Sequence, residues 1–230
     1  GALTLALVNP VPSPLSQGAD IAIDIGAGPE QAVAASKSYV CSLSAMAGLR
    51  TGAGLVTMAT PPSAVMLQAT RLTAIMQRAI RDAADLAEWL SDKRLSAFVI
   101  GPGLGDMDKA RAYTEMLAQT GKPVVLDADG LTAFAMVPAH LGGLFAGTTR
   151  LVMTPHEGEF RRLFADLAED AALSKIDRAC AAARACNAVV VYKGADTVIA
   201  APDGRAAVNA DAPAWLATAG SGDVLSGIIG

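Results

Sequence analysis

Cysteine is scarce in this chain: of 230 residues only Cys41, Cys180 and Cys186 carry thiols, an odd number with no C-x-x-C spacing. Neither a disulfide framework nor a zinc site is indicated, and a reducing cytoplasm is the expected compartment. Charge is sparse as well. Charged residues make up 17% of the chain, the formal net charge is −4, and no run of lysines and arginines occurs. This argues against a nucleic-acid surface and against a polybasic membrane patch, so the expected ligand is a small molecule. Residues 131–149 are free of Asp, Glu, Lys and Arg and come nearest to a membrane span, but Pro138, His140 and the Gly142-Gly143 pair favour a short helix plus loop. The apolar opening GALTLALV has no basic flank and runs into prolines, which favours a first strand over a signal peptide. Three catalytic signatures are missing too. There is no G-x-x-x-x-G-K-[ST] phosphate loop, no G-x-G-x-x-G with a downstream acid, and no serine-hydrolase elbow.

What the chain has in quantity is apolar material, 52% of its residues, enough for one large α/β domain or two small ones. One domain spanning 1–230 is expected, with no internal repeat and no low-complexity linker. Short β-rich runs occur at 21–25, 54–59, 97–101, 123–127, 150–154 and 188–192, and runs that are apolar throughout suit strands buried on both faces. Helical periodicity fills residues 31–49, 82–93, 106–120, 157–165 and 171–187. The alternation predicts a mostly parallel sheet with helices on both faces, an α/β three-layer sandwich. DTVIAAPDGRAAVN, residues 196–209, reads as a hairpin around its P-D-G-R turn. Pro10, Pro12 and Pro14 make residues 9–19 a loop or a join, and a start at Gly1 with an end at Gly230 inside a helical pattern predicts a piece of a longer polypeptide.

The chemistry-bearing motifs all fall at the carboxyl ends of predicted strands, where open α/β sheets bind their ligands. GPGLG (101–105) has three glycines that permit close backbone approach to a ligand, although a tight turn explains them equally well. LDADG (126–130) ends a strand on two carboxylates. Asp129 is expected to cap the next helix, and Asp127 to contact Mg²⁺ through water or a substrate hydroxyl. In TPHEGEF (154–160) Pro155 near N1 and Glu157 and Glu159 in the first turn suit a helix start, while His156 is expected to touch substrate. Lys193 leaves a buried strand in YKGADT (192–197), either to reach a nucleotide phosphate or as an ordinary solvated lysine. TAGSGDVLSG (218–227) places glycines and Ser221, a potential N-cap, before an apolar run with helical spacing. Amides of Ala219, Gly220, Ser221, Gly222 and Asp223 are expected to converge as an anion hole, leaving Asp223 to remove a proton from an attacking hydroxyl.

On these motifs the chain resembles the ribokinase-like superfamily, whose G-x-G-D loop is here Gly220-Ser221-Gly222-Asp223. Within it the order GAGLVT, GPGLG, VLDADGL, TPHEGEF, KGADT, LATAGSGDVLSG is most similar to the ADP-dependent NAD(P)H-hydrate dehydratases, the carboxyl-terminal YjeF-type domain. Vitamin kinases of the same superfamily usually show a D-P-V strand end and an asparagine after T-P, where this chain has Asp127-Ala128-Asp129 and Thr154-Pro155-His156. The resemblance implies that ADP, with Mg²⁺, drives dehydration of hydrated NADH or NADPH, with Asp223 as base. It implies an adenine-nucleotide site at Lys193, Gly194, Ala195, Asp196, Thr197 and Gly222, and a substrate site at Gly103, Gly105, His156 and Asp223. A cytoplasmic homo-oligomer, in some relatives fused to an NAD(P)H-hydrate epimerase domain, is implied as well. Residues 1–39 depart from the family pattern, with Ser38-Tyr39-Val40 where T-G-A is expected, and no site residue is carried over from them. The alternatives are an ATP-dependent vitamin-type kinase using the same aspartate and a nucleotide-binding domain without catalysis, because a fold does not choose its function.

Overall fold

The computed structural model describes residues 5–8, 21–24, 34–70, 72, 74–147 and 150–230. Strands β1 (Leu5–Val8) and β2 (Ile21–Asp24) form a parallel pair and are followed by helix α1 (Ala34–Arg50). A second parallel pair, β3 (Thr57–Thr60) and β4 (Met76–Ala79), is bridged by α2 (Pro62–Ala69) and has its own small core of Met58, Leu72 and Ile75. After α3 (Ala83–Leu90) the chain runs through β5 (Phe98–Ile100), α4 (Met107–Gln119), β6 (Val124–Leu126), α5 (Ala128–Thr132), α6 (Pro138–Leu144) and β7 (Leu151–Met153). Helices α7 (Glu157–Leu163), α8 (Ala165–Glu169) and α9 (Lys175–Cys186) precede β8 (Ala188–Tyr192), β9 (Thr197–Ala200) and β10 (Ala206–Asn209), and α10 (Ser221–Ile229) comes last. The main sheet has the order β10-β9-β8-β7-β6-β5. It is parallel from β5 to β8, and β9 and β10 join antiparallel as the expected hairpin.

Strand composition explains the layering. Val124, Leu126, Leu151, Met153, Val190 and Tyr192 are fully buried in one core with Leu131, Phe134, Leu141, Phe160 and the small face of α9. Each fully buried side chain of this size contributes about 1.5–3 kcal/mol. β6 is buried along its whole length, as its unbroken apolar run predicts, whereas the outer β10 is exposed throughout. Helix starts follow local cap chemistry: Asp82 for α3, Asp106 for α4, and Ser174 with Asp177 as a capping box for α9. Ser174 also explains why α9 begins at Lys175 and not at 171. Asn187, at φ 48, ends α9 in the left-handed conformation that asparagine tolerates and turns the chain into β8.

Two elements fall outside the periodic runs of the sequence. β4 is MQRA, without a β-branched residue, and it holds its place through pairing with β3. The short helix α2 starts on Pro62 after Pro61. Among the described residues no helix is long and apolar enough to cross a membrane.

Candidate active site

The parallel register lines up the strand ends in one row. Beyond β6, the Asp127 amide donates to the Ile100 carbonyl; beyond β7, the Thr154 amide donates to Leu126; beyond β8, the Lys193 amide donates to Pro155 at 2.8 Å. GPGLG, LDADG, TPHEGEF and YKGADT thus share one rim of the sheet, as expected of an open α/β site. The first two are interlocked. Gly101, at φ 123, lies so close to the Asp127 carbonyl that a Cβ there would collide with it, and a Cβ on Gly130 would stand 2.9 Å from the Ile100 carbonyl. Ala128, a non-glycine residue at φ 47, is a strained position within this rim.

Asp129 does not cap the helix as expected. Asp127, not Asp129, occupies the cap position of α5, and its side chain makes no cap hydrogen bond. Asp129 lies in the first turn and accepts the Gly105 amide at 2.6 Å, which ties the glycine loop to α5. Asp127 instead pairs with Lys193, its Oδ1 3.1 Å from Nζ, with the side chains 3% and 19% exposed. Lys193 is therefore not a solvated loop lysine. Chain topology makes this pair: the residues are 66 apart but follow β6 and β8, the two neighbours of β7.

Helix α10 brings the glycine loop to that pair. Its cap position is Gly220, at φ 88, and not Ser221, which is the first helical residue and whose hydroxyl donates to the Thr218 carbonyl. Ser221 directs its amide to Thr218 as well, at 3.3 Å, so it is partly committed to the turn. Gly222 and Asp223 stand in the first turn, where amides have no partner inside the helix. A Cβ on Gly222 would be 3.1 Å from Lys193 Nζ and 4.0 Å from Asp127 Oδ2. The helix opening, the ammonium and the buried carboxylate therefore meet. Asp223 lies among them, its carboxyl pushed above the ordinary carboxylate range by burial and by the charge of Asp127, with Lys193 acting in the opposite direction. Its main chain is anchored: the hydroxyls of Ser44 and Ser226 both donate to the Asp223 carbonyl, at 2.6 and 2.9 Å. That anchorage, and the close crossing of α1 and α10 at Ser44 and Gly227, was not foreseen, and no local motif announces it.

His156 has a structural duty. It caps α7, its Nδ1 accepting the amides of Gly158 and Glu159, while Glu159 accepts the His156 amide in a capping box. Pro155 therefore precedes the cap instead of sitting at N1. The accepting role puts the ring proton on Nε2, and the side chain remains half exposed at the rim. The spacing of His156 and Glu159, three apart, is the signal that points to this box. In the 193–197 segment Thr197 closes a small turn, its hydroxyl donating to the Gly194 carbonyl and accepting the Gly194 amide.

A family model described as NAD(P)H-hydrate dehydratase matches residues 38–230. The chain belongs to the NAD(P)H-hydrate dehydratase family. It is 36% identical over 208 residues to the bifunctional NAD(P)H-hydrate repair enzyme Nnr of Thermofilum pendens, covering 86% of this chain and 39% of that protein. With the enzyme of the same name from Moorella thermoacetica it is 40% identical over 199 residues, 82% of this chain and 37% of the relative. The chain thus spans under two fifths of the length of these relatives. Its fold is ribokinase-like: a ribokinase-like superfamily protein from Enterococcus faecalis superposes with a TM-score of 0.69 at 25% identity, over 84% of this chain and 66% of that one. The ADP/ATP-dependent NAD(P)H-hydrate dehydratase of Bacillus subtilis, co-crystallized with ATP/Mg²⁺ and soaked with CoA, gives 0.65 at 26% identity, over 84% and 68%. Within the family the motifs of the rim are the candidate site, and Asp223, Lys193 and Asp127 are its charged centre.

Proposed function

We propose that this chain dehydrates hydrated NADH or NADPH, with ADP as phosphoryl donor and Asp223 as base. The observation that carries the reading is the setting of Asp223, a carboxyl of raised pKa in the first turn of a glycine-opened helix, beside Lys193. A general base works best when its pKa approaches the working pH.

The hydrate carries a hydroxyl next to the ring nitrogen, and hydroxide leaves poorly. Asp223 takes the hydroxyl proton as the oxygen bonds to the terminal phosphorus of ADP, and the bond to AMP breaks. The amides of Gly222 and Asp223, with Ala219, Gly220 and Ser221 around them, and the Lys193 ammonium oppose the negative charge of the transferring group. The nitrogen lone pair then expels phosphate, and the resulting iminium loses a proton from the adjacent ring carbon, giving NAD(P)H, AMP and inorganic phosphate. Residues 193–197 and Gly222 receive the adenine nucleotide; Gly103, Gly105 and the exposed side of the His156 ring face the hydrated nicotinamide.

Among the described residues no three acidic, histidine or cysteine side chains cluster as a metal cage. Mg²⁺ is held mainly by substrate phosphates and water with one or two carboxylates. Asp127, whose Oδ2 faces the Gly222 end of α10, would hold it through water, where it would supply positive charge against the phosphoryl oxygens. The relatives' name, bifunctional, supports a companion activity in the longer protein; the family resemblance implies an epimerase for it, and a homo-oligomer.

The test is recovery of reduced-nicotinamide absorbance from hydrated NADH with Mg²⁺ and either ADP or ATP. Asp223→Asn is expected to lower the rate about a thousandfold. Accumulation of a stable phosphorylated product would move the assignment to a kinase, and nucleotide binding without turnover to a binding domain.

A further inference from the structure

Lys175 stands where its own helix does not favour it. It is the first residue of α9, and a cation at a helix N-terminus is opposed by the macrodipole. Its side chain leaves the helix and crosses to the nucleotide segment, where Nζ donates to the Asp196 carbonyl and, at 2.9 Å, to Asp196 Oδ1. Only 21% of the side chain is exposed. The ammonium lies 4.7 Å from the centroid of the Tyr192 ring, and a Cβ on Gly194 would be 2.5 Å from Nζ.

The platform beneath it is rigid. Tyr192 is fully buried, stacks on Phe160 at 4.0 Å with an interplanar angle of 7°, and donates its hydroxyl to Glu157 Oε2 at 2.6 Å. The Asp196 carboxylate is largely exposed, so the ion pair alone contributes little. The bond to the Asp196 carbonyl and the cation–π contact do not depend on that carboxylate: the first holds the backbone between Gly194 and Thr197, and the second holds the ammonium over Tyr192.

We infer that Lys175 is a positioning residue for the adenine-nucleotide segment: it pins the backbone of 193–197 against Tyr192 in the shape that receives the nucleotide, without touching the phosphates. This rests on the proposed assignment of 193–197 to the nucleotide.

The experiment is calorimetric binding of AMP and of ADP to the purified chain, Lys175→Met and Lys175→Arg, with thermal midpoints and the turnover rate at saturating ADP. Lys175→Met is expected to weaken AMP and ADP by the same factor, about tenfold, while saturated turnover stays within about twofold. Lys175→Arg, which restores a cation over the ring, recovers most of the affinity. Loss of ADP affinity alone would make Lys175 a direct contact of the terminal phosphate, and unchanged affinities would make it a surface pair; either result overturns the inference. If the unsubstituted chain binds neither nucleotide, the assignment of 193–197 fails together with it, whereas binding that Lys175→Met leaves intact removes only the role of Lys175.

Discussion

Replacing Lys193 by methionine keeps the apolar stem and deletes the charge that faces Asp127. The carboxylate of Asp127, 3% exposed, then has no charged partner at hydrogen-bond distance. Removing one member of a buried pair costs about 3–5 kcal/mol; the 19% exposure of Lys193 lets water offset part of this, so about 2–3 kcal/mol is expected. For a domain of this size that lowers the melting temperature by about 4–12 °C. The double variant Lys193→Met, Asp127→Asn removes both charges and should return to within about 1 kcal/mol of the unsubstituted protein. The same substitutions act on Asp223 in opposite directions. Loss of Lys193 raises the Asp223 pKa further, moving the acidic limb of the kcat/KM profile to higher pH, and Asp127→Asn moves it lower. Urea and thermal unfolding at neutral pH, with a pH–rate profile, measure both effects. If Lys193→Met is as stable as the unsubstituted protein, or the double variant is less stable than either single one, the pair is not a buried, mutually dependent element.

Asp223→Asn, which lowers turnover about a thousandfold, should stabilise the fold at neutral pH, because the folded state raises the pKa of this acid. The gain builds between the ordinary carboxylate value and the raised one, is constant above it and vanishes at lower pH, which unfolding curves across that range will show. Gly227→Ala should be destabilising by about 2–3 kcal/mol although alanine is the better helix former, since the new Cβ collides with the Ser44 carbonyl and pushes α1 from α10; chemical denaturation gives the sign. His156→Ala should lose about 1 kcal/mol with its cap, whereas His156→Asn retains a capping group. A rise in the KM for the hydrate common to both substitutions would separate substrate contact from capping. Cys186, buried with its thiol pushed up to about 12, should resist alkylation in the native state and react after denaturation.

Local chemistry in the sequence determined a large part of the molecule. Runs such as VVL and AVVVY can bury themselves only as central strands, the P-D-G-R turn makes the hairpin of β9 and β10, and Ser174 with Asp177 starts α9, all through forces acting within a few residues. The GSGD loop announced a helix opening on glycines for the same reason. Tertiary structure decided which charged groups share an environment. The strand order β5-β6-β7-β8 sets Asp127 beside Lys193, ties Asp129 to the Gly105 amide in place of the expected cap, and brings Lys175 to the 193–197 segment. The crossing of α1 and α10 brings Ser44 to Asp223 across 179 residues of chain. Propensity and cap chemistry act along the chain and are written in it locally. The pKa of Asp223 depends on burial and on charges brought in by other strands, so it exists only once the sheet has chosen its neighbours.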